Sequence, residues 1–278
     1  MRPSFQIFTL VLGLVLSVPG SALADDSGLD RLTRREQLLG WEAVGRVDLG
    51  DRGFCTGTLI ATDLVLTAAH CLFDKKTGEP EPLADMTFRA GLVDGTAIAE
   101  VPVARAVAMP GYDPRAGVTI ENVQRDVALL QLAQPIPAAV AAPFAVEAAK
   151  GLREVSVVSY ARGREDALSW QRTCGVLGQQ GRLIAFTCDV DFGSSGAPVF
   201  DRSAGRARIV SIVSSGSREA DGVTAFGMAL PEALVELKAA LRADRGVLVP
   251  VATDATPTIR RIGTQGQSRD IGARFVKP

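Results

Sequence analysis

Three segments of this 278-residue chain set reactive side chains among small residues that leave them reachable. Its single histidine, His70, lies in Leu66-Thr67-Ala68-Ala69-His70-Cys71. Asp126 heads the run Asp126-Val127-Ala128-Leu129-Leu130, and Ser195 sits in Gly193-Ser194-Ser195-Gly196-Ala197-Pro198. One imidazole cannot build a multi-histidine metal cage, but its ordinary pKa of about 6.5 suits it to accept and return protons. A serine hydroxyl is a weak nucleophile until a base removes its proton. That base in turn needs a carboxylate to hold its tautomer and steady the imidazolium. The attacked carbonyl oxygen becomes an oxyanion, which wants N–H donors placed beforehand. Glycines on both sides of Ser194-Ser195 permit such a turn, and we assign the donors to the backbone N–H groups of Gly193 and Ser195. Histidine, aspartate and serine in this order spell acyl transfer through an activated serine. The α/β-hydrolase arrangement runs Ser, Asp, His on a G-x-S-x-G turn, and neither feature occurs here.

Composition narrows the setting. Net charge is −1 and the pI about 6.0, so nucleic acid and anionic membranes are not expected partners. The first residues carry Arg2, then an apolar run from Ile7 to Val18, then Ala22-Leu23-Ala24. This is a charged, apolar and small-residue sequence that reads as a signal peptide over 1–24. The apolar run is too short to span a bilayer, and no later stretch is long enough, so the mature chain is expected without a membrane span and exported to the periplasm or beyond. An oxidising compartment turns the four cysteines, Cys55, Cys71, Cys174 and Cys188, into disulfide candidates. Three pairings are possible; Cys55–Cys71 with Cys174–Cys188 is the most local set. The spacings lack a C-x-x-C pair, so no metal site is expected, and no cofactor.

The elements that must position these residues read mainly as strands. Short apolar, β-branched runs fall at 43–49, 56–61, 64–67, 86–90, 97–108, 127–132, 155–160, 172–177, 183–187, 198–200, 207–214 and 223–229, separated by Gly, Pro and Asp clusters. A dozen strands with few helices between them imply an antiparallel all-β sandwich or barrel. One helix follows: Pro231 opens it, Leu234, Leu237 and Leu241 share a face, and Gly246 lies just beyond. The proline-rich, uncharged stretch Gln134–Pro143 reads as the connector between two halves; no internal repeat is visible. Residues 247–278 read as a flexible tail.

The His70, Asp126 and Ser195 segments resemble the three signature motifs of the chymotrypsin/trypsin-like serine peptidases, in its bacterial secreted branch. Cys55-Thr56-Gly57-Thr58-Leu59-Ile60 resembles the strand in which that family places the partner of the cysteine after the histidine. Val210–Gly216 is similar to the strand after its nucleophile. The resemblance covers roughly residues 41–246. It implies two six-stranded antiparallel Greek-key β-barrels with a C-terminal helix: barrel one over about 41–137, barrel two over about 138–230, and the helix over 231–245. Residues 25–40 would form an N-terminal extension or pro-segment. The site would lie between the barrels, with His70, Asp126 and Ser195 catalytic and a polypeptide as substrate. Ser214 would bond the aspartate, and Ser214, Ser215 and Gly216 would pair with the substrate backbone.

Departures from the family pattern carry information too. Trypsin-like zymogens place an aspartate just before the nucleophile, where it meets the ammonium freed by activation cleavage; here Ser194 stands there, and the region around Leu38 lacks a clear activation sequence. Ala197 replaces a glycine. Glutamate-specific relatives use a pocket histidine, which this chain lacks. Asp189, six residues before Ser195, falls where a trypsin-type pocket holds its acid and implies a preference for Arg or Lys; Asp191 is a second candidate, and Ser215 with Ala225 suggests the alternative of a small or apolar pocket. Two further readings are a silent binding module on a peptidase scaffold and an esterase-like or self-processing hydrolase.

Overall fold

The computed structural model describes residues 28–219 and 222–250. The signal-peptide reading, and the tail from 251 onward, lie outside the described residues. The chain folds into two closed six-stranded antiparallel barrels. After a short strand β1 (Leu29–Arg31), the first barrel is built from β2 (Val44–Leu49), β3 (Phe54–Ala61), β4 (Leu64–Thr67), β5 (Met86–Ala90), β6 (Ala99–Ala108) and β7 (Ala128–Leu132). A short helix α1 (Ile120–Val123) precedes β7. The second barrel uses β8 (Glu154–Ala161), β9 (Arg164–Gln180), β10 (Leu183–Phe186), β11 (Pro198–Asp201), β12 (Arg208–Glu219) and β13 (Gly222–Met228). Helix α2 (Pro231–Arg242) and a last strand β14 (Val247–Leu248) follow.

Neighbours around the first barrel run β2-β3-β4-β7-β6-β5, and around the second β8-β9-β10-β13-β12-β11. The order is the same in both, so the molecule repeats a topology that the sequence does not display. Backbone pairing can repeat while side chains diverge, because each barrel needs only the right alternation of inward and outward residues.

The two ends of the described chain cross over. β1 pairs with β9 of the second barrel (Leu29↔Gln171), and β14 with β6 of the first (Val247↔Val107). The segment between β1 and β2 is built into the fold: Leu32 and Leu38 are buried, and Trp41 packs with Trp170 of β9 and Phe200 of β11 at centroid distances of 5.1 Å each. A single apolar cluster therefore runs from inside the first barrel, through this aromatic group, to α2, whereas the second barrel encloses its own smaller, valine-rich core. The connector over residues 134–143 lies back on the first barrel, with the Ile136 N–H donating to Thr62 O (2.8 Å).

Two sequence expectations shift. β9 begins at Arg164, not 172, since the charged segment Arg164-Glu165-Asp166 does not read as a strand; it becomes one because β8 runs directly into it through the two-residue turn Arg162-Gly163. Helix α2 stops at Arg242, three residues early, with Asp244 and Gly246 at positive φ ending it.

Candidate active site

His70 stands on a 3₁₀ turn, Ala69–Leu72, that follows β4. Ala68, Ala69, Cys71 and Leu72 are buried, so the turn lifts the imidazole out as its half-buried member. The disulfide Cys55–Cys71 ties this turn to β3; the other pair is Cys174–Cys188. His70 Nδ1 lies 2.7 Å from Asp126 Oδ2, and the His70 backbone N–H donates to Asp126 Oδ1 (2.8 Å). The Ser214 hydroxyl donates to Asp126 Oδ2 at 2.6 Å. Both carboxylate oxygens are thus engaged in a group only 4% exposed. A proton held on Nδ1 by that carboxylate leaves Nε2 free to act as a base.

Asp126 is aimed by the loop before β7. Thr119 caps α1 by accepting from the Asn122 N–H (3.2 Å), and Asn122 ties down the loop by donating to Asp113 O and Gly117 O, each at 2.9 Å. Tyr112 of that loop packs on Phe73, and burial pushes its hydroxyl pKa up, helped by the Asp126 charge. Tyr112, Asn122 and Val123 line, with His70, Asp126, Ser195 and Ser214–Gly216, a cleft of about 640 Å³ between the barrels.

The turn carrying Ser195 is accounted for atom by atom. From Asp191 to Ser195 its carbonyls are all taken: Asp191 O by the Ser194 N–H (2.9 Å), Phe192 O by the Arg162 N–H (2.7 Å), Gly193 O by the Thr56 hydroxyl (2.8 Å), Ser194 O by the Ala197 N–H (2.9 Å), and Ser195 O by the Thr56 N–H (2.9 Å). Among the described residues, the N–H groups of Gly193 and Ser195 find no acceptor. An unpaired N–H is a costly thing to keep at a partly buried position, and two side by side form a site for negative charge. Gly193 has φ +95°, and a Cβ there would fall 2.3 Å from the Phe54 ring; at Gly196 (φ +78°) it would lie 2.2 Å from Thr67 Oγ1. Both positions demand glycine. Ser194 is buried, its hydroxyl within 3.3 Å of Ser159 Oγ and 3.4 Å of both Tyr160 O and the Asp191 backbone N–H, so its hydrogen-bond partners are uncharged groups.

Asp189 is not brought into the cleft. Its carboxylate accepts from Arg218 (3.0 Å) and its N–H donates to Gln171 Oε1 (2.7 Å). Asp191 does line the cleft, but Arg162 holds it at 3.1 Å. Arg164 is a third cation near both acids; their charges favour its protonated form, but burial outweighs them and lowers its pKa. Beside Ser214–Gly216 the cleft is lined by Val190, Val213 and Val223, with Ser217 and Arg218 following on the same strand. Val190 reaches so close to Gly216 that a Cβ there would lie 2.8 Å from it. Sequence reasoning missed these valines, Thr56 and Arg218. The basic Arg218, two residues beyond Gly216 on the same strand, was the available warning that a nearby aspartate had a partner. Cys55, His70 and Cys71 cluster within metal-binding reach of one another, but both sulfurs are spent in the disulfide, leaving no thiolate to bind one.

A family model described as the trypsin-like peptidase domain matches residues 55–208, just over half of the chain. Among curated proteins, serine protease 56 of Homo sapiens is 38% identical over 96 residues. Serine protease 56 of Mus musculus is 35% identical over 96 residues. Each match spans 34% of this chain but only 14% of the relative's length. Among solved structures, a Glu endopeptidase in complex with MPD superimposes with a TM-score of 0.65 at 20% identity, covering 79% of this chain and 98% of that one. A thermostable serine protease, AL20, from an extremophilic microorganism gives 0.59 at 17% identity, covering 72% and 97%. At these identities the structural likeness is one of fold.

Proposed function

The chain belongs to the trypsin-like peptidase family, and on that premise we propose that it is a serine endopeptidase that cleaves polypeptides through an acyl-enzyme. In this reading His70 takes the Ser195 proton, Asp126 holds the imidazole, and the Ser195 oxygen attacks the scissile carbonyl. The carbonyl oxygen, gaining charge, moves onto the N–H groups of Gly193 and Ser195. His70 then passes its proton to the leaving amine, and a water repeats the sequence on the ester. The observation that carries this reading is the pair of acceptorless N–H groups of Gly193 and Ser195, in a turn whose carbonyls from Asp191 to Ser195 are all engaged. Preorganised donors of this kind act where charge develops in the transition state, and each is worth about 10²–10³ in rate.

For the residue before the scissile bond we propose a small or medium apolar side chain, because Val190, Val213 and Val223 face that part of the cleft and its neighbouring acids are held by arginines. Export is part of the same proposal: two disulfides suit an oxidising compartment, and no helix among the described residues is long and apolar enough to cross a membrane. The test is a peptide-library digest paired with a serine-directed phosphonate. Cleavage after small apolar residues, with label on Ser195 and loss of both in Ser195→Ala, is the expected result. Turnover surviving in Ser195→Ala, or labelling without any peptide cleavage, overturns it.

A further inference from the structure

Thr56 makes contacts that its place in a strand does not explain. It sits in β3 beside Cys55, with 0% of its surface exposed. Its N–H donates across the barrel interface to Ser195 O, and its hydroxyl donates to Gly193 O while accepting from the Tyr160 N–H at 3.1 Å. Its own carbonyl accepts from the Thr67 hydroxyl at 2.8 Å, and Gly196 is pressed against that pair, its would-be Cβ 2.4 Å from Thr56 O. One residue of the first barrel thus holds three points on the second.

We propose that Thr56 is a positioning residue that locks the turn of the opposite barrel with its two N–H groups facing the cleft, so that the turn is donor-ready without any processing step. The proposal rests on the peptidase reading. Its physical basis is the rigid peptide plane: the two donor planes, Phe192–Gly193 and Ser194–Ser195, are joined through the Gly193–Ser194 peptide, so fixing that peptide's carbonyl fixes how the two N–H groups stand to each other. Gly193 supplies the positive φ the turn needs, but a glycine also permits the peptides next to it to rotate. Phe192 O and Ser194 O are held from within the second barrel, by the Arg162 and Ala197 N–H groups. Among the described residues, the carbonyls of Gly193 and Ser195, which belong to the Gly193–Ser194 and Ser195–Gly196 peptides, are held by Thr56 alone, and Thr56 adjoins the cysteine that anchors the His70 turn. It therefore sets the register between base and nucleophile as well as the turn itself. Ser194, whose side chain is uncharged, leaves this hydrogen-bonded arrangement to do the holding.

Thr56→Val keeps the shape and removes the hydroxyl; Thr56→Ser keeps the hydroxyl. Each is compared with the wild type per active site titrated by the phosphonate, on a neutral peptide substrate and with a peptide boronate that forms a tetrahedral adduct on serine. Thr56→Val is expected to lower kcat about ten- to hundredfold, since misplacement by an ångström costs on that order, with KM within about twofold. Boronate affinity should fall in parallel with kcat, and Thr56→Ser should restore both to within about threefold. Unchanged kcat per titrated site in Thr56→Val overturns the proposal, as does a loss that Thr56→Ser does not repair. If Thr56→Val does not fold, Thr56→Ala takes its place; if neither folds while Thr56→Ser does, the hydroxyl serves stability alone and the proposal falls. A wild type that titrates with phosphonate but cleaves no peptide fails the peptidase reading instead, and is seen before any variant is made.

Discussion

Asp126 and Asp189 put the same side chain in opposite settings, the first in the wall of the cleft and the second outside its lining. Asp126 is 4% exposed and takes three hydrogen bonds, two from His70 and one from a neutral hydroxyl, and among the described residues its one ion-pair partner is His70. Asp189 has a side chain 27% exposed and is paired with Arg218, itself 63% exposed, with Arg164 nearby. The first carboxylate is available to a proton-transfer partner because nothing else cancels it. The second is already cancelled, and its partner's exposure means that water screens what remains. A carboxylate's type and position in the chain therefore say little about its role until its partners are known.

The largest effect that can break this comparison lies at Asp126. Asp126→Asn preserves the shape but presents an amide where the imidazole expects an acceptor, so kcat is expected to fall by about 10⁴. Peptide turnover by the purified variant, normalised to phosphonate-titrated sites, measures it. A fall of less than tenfold would falsify the assignment of Asp126 as the group that orients His70.

The same contrast between buried and exposed neighbours recurs away from the cleft, in Leu38-Leu39. Leu38 is 0% exposed and Leu39 is 74% exposed. Leu38→Ala should lower unfolding free energy by about 2–5 kcal/mol, as large-to-small core changes do. Leu39→Ala should stay within about 0.5 kcal/mol of the wild type. Denaturant melts compare them directly. Equal, small effects would show that residues before Trp41 are a detachable segment, as the pro-segment reading of 25–40 has it. A large loss at Leu38 means that a chain starting at Trp41 forfeits stability while one starting before Gly28 does not.

Legibility followed the same line. That His70, Asp126 and Ser195 meet at one cleft was readable because each is positioned by its immediate neighbours: a short 3₁₀ turn, a capped loop leading into β7, a glycine-bounded turn. The alternation of apolar residues gave most strands of both barrels for the same reason. What sequence could not show depends on residues brought together from afar. The Arg218–Asp189 pair joins β12 to the loop before Ser195 across 29 positions, and the Thr56–Gly193 bond spans 137. β1 and β14 exist only because a distant strand edge accepts them, and Arg164–Gln171 is a strand only because β8 is beside it. The shared order of the two barrels was hidden because pairing topology leaves no fixed residue pattern.

The smallest expected effect is at Asp189, and its smallness is the point. A basic side chain reaching an acid at the base of a dry pocket gains a charge-assisted hydrogen bond, and losing such a partner leaves a cation stranded. Here the carboxylate, itself outside the cleft lining, already serves Arg218, which is part of that lining, and an arriving Arg or Lys would have to compete with that guanidinium. Exposed ion pairs are worth about 0–1 kcal/mol, so Asp189→Ser should shift the Arg-to-Ala ratio of kcat/KM by less than about fivefold. Freed from its partner, Arg218 lines the cleft with an uncancelled charge, so any shift should disfavour Arg and shrink as salt is raised. Paired substrates differing only before the scissile bond, assayed at low and high ionic strength, measure both parts. A hundredfold fall in the ratio that persists in high salt would mean that Asp189 turns into the pocket when substrate binds, and that the two aspartates are less different than their resting contacts make them.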